Sequence, residues 1–100
     1  MARGSLNNAL KVPNHKYVAA AAADVVVKAS PGTLVGITVG KAVGSSIIEV
    51  SNSATDGDAS VQYYLAGDTI GPSYYPVNIY FSTGICSDIT NQTNITFHYI

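Results

Sequence analysis

The sequence predicts an all-β protein, a single antiparallel β-sandwich of jelly-roll-like or immunoglobulin-like type with about seven or eight short strands. Apolar and polar residues alternate along several short runs, and clusters of Gly, Pro, Asn and Asp separate these runs. The gaps are too short for the crossover helix that parallel strands need. At 100 residues, the chain has the length of one domain. We expect the sandwich over residues 17–100, after an extended N-terminal arm over residues 1–16.

The arm is predicted because residues 1–16 are polar and follow no helical or strand period. Such a segment becomes ordered when it contacts a neighbour. The next segment is ambiguous, since the alanines of residues 17–23 favour one or two turns of helix. The β-branched Val25, Val26 and Val27 follow at once and favour a strand. We favour an extended lead-in that runs into a first strand at 24–29.

The further strands follow from alternation between turn signals. In the second strand, Val35, Ile37 and Val39 should share the inward face. Pro76 cannot donate to a central ladder, so it marks a strand start or an edge strand. Glu49 should point away from the face that carries Ile48 and Val50. The predicted strands after the first cover residues 33–39, 47–51, 61–65, 77–82, 85–89 and 94–99, with Val61, Tyr63 and Leu65 inward in one and Val77, Ile79 and Phe81 inward in another.

The aromatic residues divide into two predicted groups. One group belongs to the core or its margin: Phe81, Phe97, Tyr99 and Tyr63. The other lies outside the core or at loop ends and supplies candidates for a subunit interface: Tyr64, Tyr74, Tyr75 and Tyr80. Tyrosine suits interfaces because it offers a large area, few rotatable bonds and one polar tip. The alternative is that these rings merely occupy exposed strand faces.

Charged residues make up 11% of the chain, and the formal net charge is −1. A surface with so few charges suits contact with other protein, although an ordinary low-charge domain would have the same composition. The basic residues are not clustered, which argues against nucleic acid as a partner. No apolar run is long enough for a membrane span, and no secretory leader is recognisable, so we expect folding in a cytoplasm. Cys86 has no partner for a disulfide and should pack as a small apolar side chain.

No set of residues indicates catalysis, and we predict no catalytic residue, no metal and no cofactor. His15 and His98 sit at opposite ends of the sequence, and His98 should face solvent on the last strand. A glycine-flanked nucleophile and a phosphate-binding glycine loop are both missing from the sequence. Asp56 and Asp58 flank Gly57 and offer one alternative, a Ca²⁺ site, but their spacing does not fit the EF-hand loop.

Four segments carry a resemblance to a known group of proteins: VVVKASPGTLVGITV, IIEVSNSAT, YYPVNIYFSTGI and ITFHYI. Together they resemble small β-sandwich proteins from the virion gene clusters of tailed bacteriophages. In those proteins a strand ending in Lys-Ala-Ser-x-Gly-x-Leu opens the sandwich, as Lys28 to Leu34 would here. A Phe-x-x-Gly-Ile/Leu turn, here Phe81 to Ile85, precedes the closing strands. The resemblance extends over about three quarters of the chain.

This resemblance implies a capsid decoration (cement) protein, which binds the outside of the phage head and stabilises contacts between capsid subunits. Its partners would be the major capsid protein and itself, as a homotrimer, on the virion surface after synthesis in the host cytoplasm. The alternative is a fibre-type or tail-associated module that binds a host glycan or receptor, with Tyr74 and Tyr75 stacking on sugars. The arm residues expected to contact the capsid are Arg3, Leu6, Leu10, Lys11, Val12 and Pro13.

Overall fold

A computed structural model describes residues 13–41, 44–67 and 71–100 of the chain. The described residues form antiparallel strands and no helix, in two four-stranded sheets. The all-β, sandwich-type prediction is therefore confirmed. The strands are β1 (Asn14–Val18), β2 (Ala22–Lys28), β3 (Gly32–Val39), β4 (Ser46–Asn52), β5 (Val61–Gly67), β6 (Ser73–Phe81), β7 (Ile85–Thr90) and β8 (Ile95–Tyr99).

The strand order decides between the two predicted sandwich types. Sheet I has the order β1-β8-β3-β6, and sheet II has the order β2-β7-β4-β5. The pairs β1–β8, β2–β7, β3–β6 and β4–β5 are nested, as if one long hairpin had been rolled up. This nesting is the jelly-roll arrangement of two Greek keys. An immunoglobulin-type sandwich would instead pair its first strands with each other.

The core lies between the two sheets and contains side chains from both. Phe81 and Phe97 are its largest fully buried members, and Tyr63 and Tyr99 pack against it, as predicted. Cys86 is also buried and free of disulfide bonding, but its side chain lies outside this core. The other buried apolar side chains of this core are Val27, Leu34, Ile37, Val39, Ile48, Val50, Ile85, Ile89 and Ile95.

Two β-bulges change which residues face inward. A register shift between Leu34 and Gly36 turns Leu34 into the core, while Val35 is only half-buried. A second shift between Val50 and Ser51 of β4 leaves Val61 of β5 exposed. The predictions for Val35 and Val61 were wrong because a bulge adds one residue to one strand and breaks the alternation.

The N-terminal part of the sandwich begins earlier than residue 17. Strand β1 starts at Asn14, so the last residues of the predicted arm belong to sheet I. Residues 17–23 are not helical, because they end β1, which pairs with β8, form a short bend and begin β2, which pairs with β7. These pairings satisfy the backbone and override the helix preference of alanine. Pro13 lies directly before β1 and is half-buried, whereas the other predicted arm residues, Arg3, Leu6, Leu10, Lys11 and Val12, lie outside the described residues.

Candidate functional site

The outward side of sheet I is the most distinctive surface of the molecule. The register places Tyr17, Thr96, Thr38 and Tyr74 in one row across the four strands. The neighbouring row contains His15, His98, Gly36 and Pro76, and Tyr80 lies farther along β6. We call this surface the aromatic face, defined by His15, Tyr17, Gly36, Thr38, Tyr74, Pro76, Tyr80, Thr96 and His98.

The aromatic face exposes large rings without formal charges beside them. The exposed fractions are 59% for Tyr17, 47% for Tyr74 and 64% for Tyr80. Alternation along the strands places no Asp, Glu, Lys or Arg on this face among the described residues. Lys16 pairs with Phe97, which is buried, and so belongs to the opposite side of the sheet. A partner would therefore cover apolar ring surface without having to desolvate a charge.

Four residues at the centre of the face contact one another. The His15 and His98 rings meet edge to face, with 4.7 Å between their centroids. The Tyr74 ring lies 5.6 Å from the His98 ring on the other side. The tip of Tyr74 lies directly over Gly36, where a methyl group would overlap it, and its hydroxyl donates to the Val35 carbonyl at 3.4 Å. Glycine at this position therefore lets the ring lie on the sheet.

His98 has a second polar contact that fixes its ring. Its Nε2 atom lies 2.7 Å from Thr38 Oγ1 on the neighbouring strand. Partial burial lowers the pKa of His98 below its ordinary value, and the nearby His15 lowers it further. At neutral pH His98 is consequently an uncharged imidazole with one nitrogen that can accept a hydrogen bond or bind a metal.

The structure distributes the four tyrosines predicted for an interface over three environments. Tyr74 and Tyr80 lie on the aromatic face. Tyr64 is 57% exposed but belongs to the outer side of sheet II, where it pairs with Glu49. Tyr75 is half-buried against the core, and its hydroxyl accepts from the Gly71 amide at 3.0 Å and donates to the Gly71 carbonyl at 3.2 Å. Tyr75 thus holds the start of β6 in place.

The loop of residues 53–60 covers part of the outer side of sheet II. The Ser53 amide donates to the Gly84 carbonyl, and Gly57 packs on the backbone of Ser87 and Asp88. Ser51 Oγ donates to the Gly57 carbonyl at 2.6 Å, and the Gly57 amide donates to Asp24 Oδ1 at 2.9 Å. The loop therefore passes over Cys86, between Gly84 and Asp88, which explains why an outward-facing cysteine is fully buried.

Acidic residues gather on this second side. The Asp24 amide donates to Asp88 Oδ1, and Glu49 lies opposite Asp88 in the register. A hydrogen bond to Asp56, and then the Asp56 charge, raise the pKa of Asp58, while the same hydrogen bond lowers the pKa of Asp56. The two sides of the sandwich consequently differ in character, one aromatic and uncharged and the other acidic.

In the part of the chain that the structure describes, no three His, Cys, Asp or Glu side chains are arranged to hold a metal ion. The alternative of a Ca²⁺ site at Asp56 and Asp58 therefore has no third carboxylate or histidine suitably placed there. The described ranges also contain no ligand-sized pocket. Within these ranges no helix has the length and apolar character to cross a membrane.

Sequence reasoning missed the contact between His15 and His98. His15 was assigned to the arm, and the two residues are far apart in the sequence. They meet because β1 and β8 are neighbours in the jelly roll. A strand assigned to residues 14–18, together with this topology, would have placed His15 and His98 on one face.

We compared the chain with protein families, curated proteins and solved structures, and found no matching family model, curated protein or solved structure.

Proposed function

We propose that this chain is a non-enzymatic bacteriophage structural protein, a capsid decoration protein that binds the outside of the head and stabilises contacts between capsid subunits. The observation that carries the proposal is the aromatic face, with exposed Tyr17, Tyr74 and Tyr80 and no formal charge among its described residues. The sequence motifs that resemble phage virion proteins supply the biological setting.

A sheet face of this kind suits a protein partner for physical reasons. Four adjacent strands give a broad surface, and tyrosines contribute much of the binding energy in many protein interfaces. The carboxylates that the structure describes lie away from the aromatic face, so this face can approach a capsid while the acidic side stays in water. The jelly roll itself occurs in viral capsid domains and in lectins, so the fold agrees with the proposal without selecting it.

The proposed partners are the major capsid protein and further copies of this chain, as a homotrimer. Many copies bound at once would turn a weak single contact into stable occupancy of the particle. Size-exclusion chromatography with light scattering tests the trimer directly. A monomer at micromolar concentration would contradict that part of the proposal.

Co-sedimentation with phage heads that lack the protein tests the binding surface. Tyr17→Ser and Tyr74→Ser should each weaken head binding about tenfold or more, as truncation of a central interface tyrosine does. Tyr64→Ser is the matched control, because Tyr64 is similarly exposed but lies on sheet II. Full binding by both aromatic-face variants, or absence of the wild-type protein from purified particles, would refute the proposal.

The contribution of the arm needs a deletion that spares the sandwich. Removing residues 1–12 leaves β1 whole, whereas removing residues 1–16 would also delete part of β1. We expect the shorter deletion to reduce head occupancy while the unfolding midpoint stays the same. Unchanged occupancy would exclude the arm from capsid binding.

A second candidate function is a fibre-type or tail-associated module that binds a host glycan or receptor. The observation that favours it is that exposed rings and hydrogen-bonding groups share the aromatic face, namely Tyr17 and Tyr74 with Thr38 and Thr96. Tyrosine rings can stack on sugars while hydroxyl groups bind sugar hydroxyls. A glycan array with wild-type protein and Tyr74→Ser tests it, and a ligand lost in the variant would favour this function over the first.

A further inference from the structure

The two histidines of the aromatic face form a pair that the proposed function does not use. His15 and His98 lie directly opposite each other on β1 and β8, and their ring centroids are 4.7 Å apart. They are the only histidines of the sequence, and the fold brings them together from its two ends. We propose that they bind a divalent transition metal ion of the zinc, nickel or copper class.

The separation of the rings fits a shared metal. Imidazole nitrogens bind zinc at about 2.0–2.1 Å. With an N–metal–N angle of about 90–110°, this bond length places the two ring centroids about 4.5–5.2 Å apart. The observed 4.7 Å lies within this range. The ring planes are now at 89°, so the His15 ring has to rotate about its Cβ–Cγ bond to point a nitrogen at the same ion as His98. This torsion is broad in histidine, so the rotation costs little.

The hydrogen bond to Thr38 supplies an independent argument. Metal-binding histidines usually donate their second ring N–H to a nearby acceptor, which fixes the tautomer and the ring orientation. Thr38 Oγ1 lies 2.7 Å from Nε2 of His98 and can accept such a bond. We assign the proton to Nε2, which leaves the Nδ1 lone pair of His98 to bind the ion.

The surroundings select the kind of metal. No carboxylate from β1, β8, β3 or β6 lies on the aromatic face among the described residues, and the titratable neighbours of the pair there are tyrosines, with Tyr74 in ring contact with His98. Hard ions such as Ca²⁺ and Mg²⁺ prefer oxygen ligands, whereas zinc, nickel and copper accept imidazole. Two histidines leave coordination positions that face outward, open to water or to a donor from another molecule. Metal binding by His15 and His98 would not require that the protein bind a capsid.

Titration of the full-length protein with Zn²⁺ at pH 7.5, followed by calorimetry, tests the site. We expect one ion per chain, and His15→Gln and His98→Gln should each weaken binding at least tenfold. Thr38→Val should weaken it about 10- to 100-fold, as loss of a second hydrogen-bonding partner does at metal sites. Unchanged affinity in Thr38→Val would overturn the assigned tautomer.

A control separates the histidine pair from the acidic side of the molecule. Asp58→Asn should leave Zn²⁺ affinity unchanged, and a large excess of Ca²⁺ should not compete. In NMR spectra Zn²⁺ should shift the ring protons of both histidines, while circular dichroism and unfolding midpoints verify that each variant is folded. Binding that survives in the His15→Gln/His98→Gln double variant, or that is lost in Asp58→Asn, would overturn the proposal.

Discussion

Gly57→Ala should lift the loop of residues 53–60 from sheet II. A Cβ atom at residue 57 would lie 2.7 Å from the Asp88 amide nitrogen and 2.7 Å from the Ser87 carbonyl carbon. Both are backbone atoms of a central strand, which cannot move aside without breaking the pairing of β7 with β2 and β4. The loop is the part that has to move, and it loses its contacts with the sheet.

The loss of stability in Gly57→Ala follows from the hydrogen bonds that hold Gly57. Ser51 Oγ donates to its carbonyl in a buried position, which is worth about 1 kcal/mol. The Gly57 amide donates to the Asp24 carboxylate. Because Asp24 is exposed, this hydrogen bond to a carboxylate contributes only about 1.5 kcal/mol. The free energy of unfolding should therefore fall by about 2–3 kcal/mol. For a domain of this size, that loss lowers Tm by about 10–20 °C.

Two assays measure this change. Urea unfolding gives the loss of stability, and the reaction of Cys86 with a thiol reagent reports opening of the loop, because the loop covers this buried thiol. A loss of 2–3 kcal/mol should speed the reaction about 30-fold or more. Gly44→Ala is the matched control, since among the described residues, its chain neighbours aside, a methyl group there meets no atom within 4 Å. A stability change below about 0.5 kcal/mol in Gly57→Ala, typical of an ordinary surface substitution, would refute the reasoning.

Further predictions concern the aromatic face and the core. Gly36→Ala should displace the exposed Tyr74 ring and lower the free energy of unfolding by less than about 1 kcal/mol. The NMR signals of the His98 ring should shift as the Tyr74 ring leaves, and unshifted signals would contradict the contact between the two rings. Ile37→Val, at a fully buried site, should lower the free energy of unfolding by about 0.5–1.5 kcal/mol, as measured by urea unfolding. An unchanged free energy of unfolding would contradict tight packing around Ile37. In the presence of a chelator, acidification from pH 7 to pH 5 should destabilise the protein. Burial and the charge of His15 hold the pKa of His98 below its ordinary value of 6.5. The contribution of neutral His98 to the free energy of unfolding is therefore complete above pH 6.5 and is lost as the pH falls. The reason is that the unfolded chain then binds more protons than the folded one. The urea midpoint of His98→Gln should depend less on pH, and equal dependence in both proteins would exclude this histidine as the cause.

Much of the fold could be predicted from the sequence because alternation is a local property. Val77, Ile79 and Phe81 point inward from β6, and Glu49 points away from Ile48 and Val50, as a period of two requires. Pro76 lies in β6, an edge strand of sheet I, where the missing N–H is tolerated. Each of these results depends on neighbours along the chain.

The remaining features depend on which strands become neighbours. The bulges that misplaced Val35 and Val61 arise from register with partner strands, which no local pattern encodes. Tyr75 was expected outside the core, but the sheet turns it inward and Tyr74 outward. The His15–His98 pair required both the correct start of β1 and its pairing with β8. A candidate site assembled from the two ends of a sequence is therefore invisible to spacing rules.

The pairing of the first strand with the last also constrains how the protein is made. Asn14 lies opposite Tyr99, so sheet I cannot be completed until β8 has been synthesised. Joining such distant segments is slow, since the chain must close a loop of nearly its full length. During synthesis β3 would meanwhile present an unpaired edge where β8 later docks. Until β8 has been made, that open edge can pair with another chain instead.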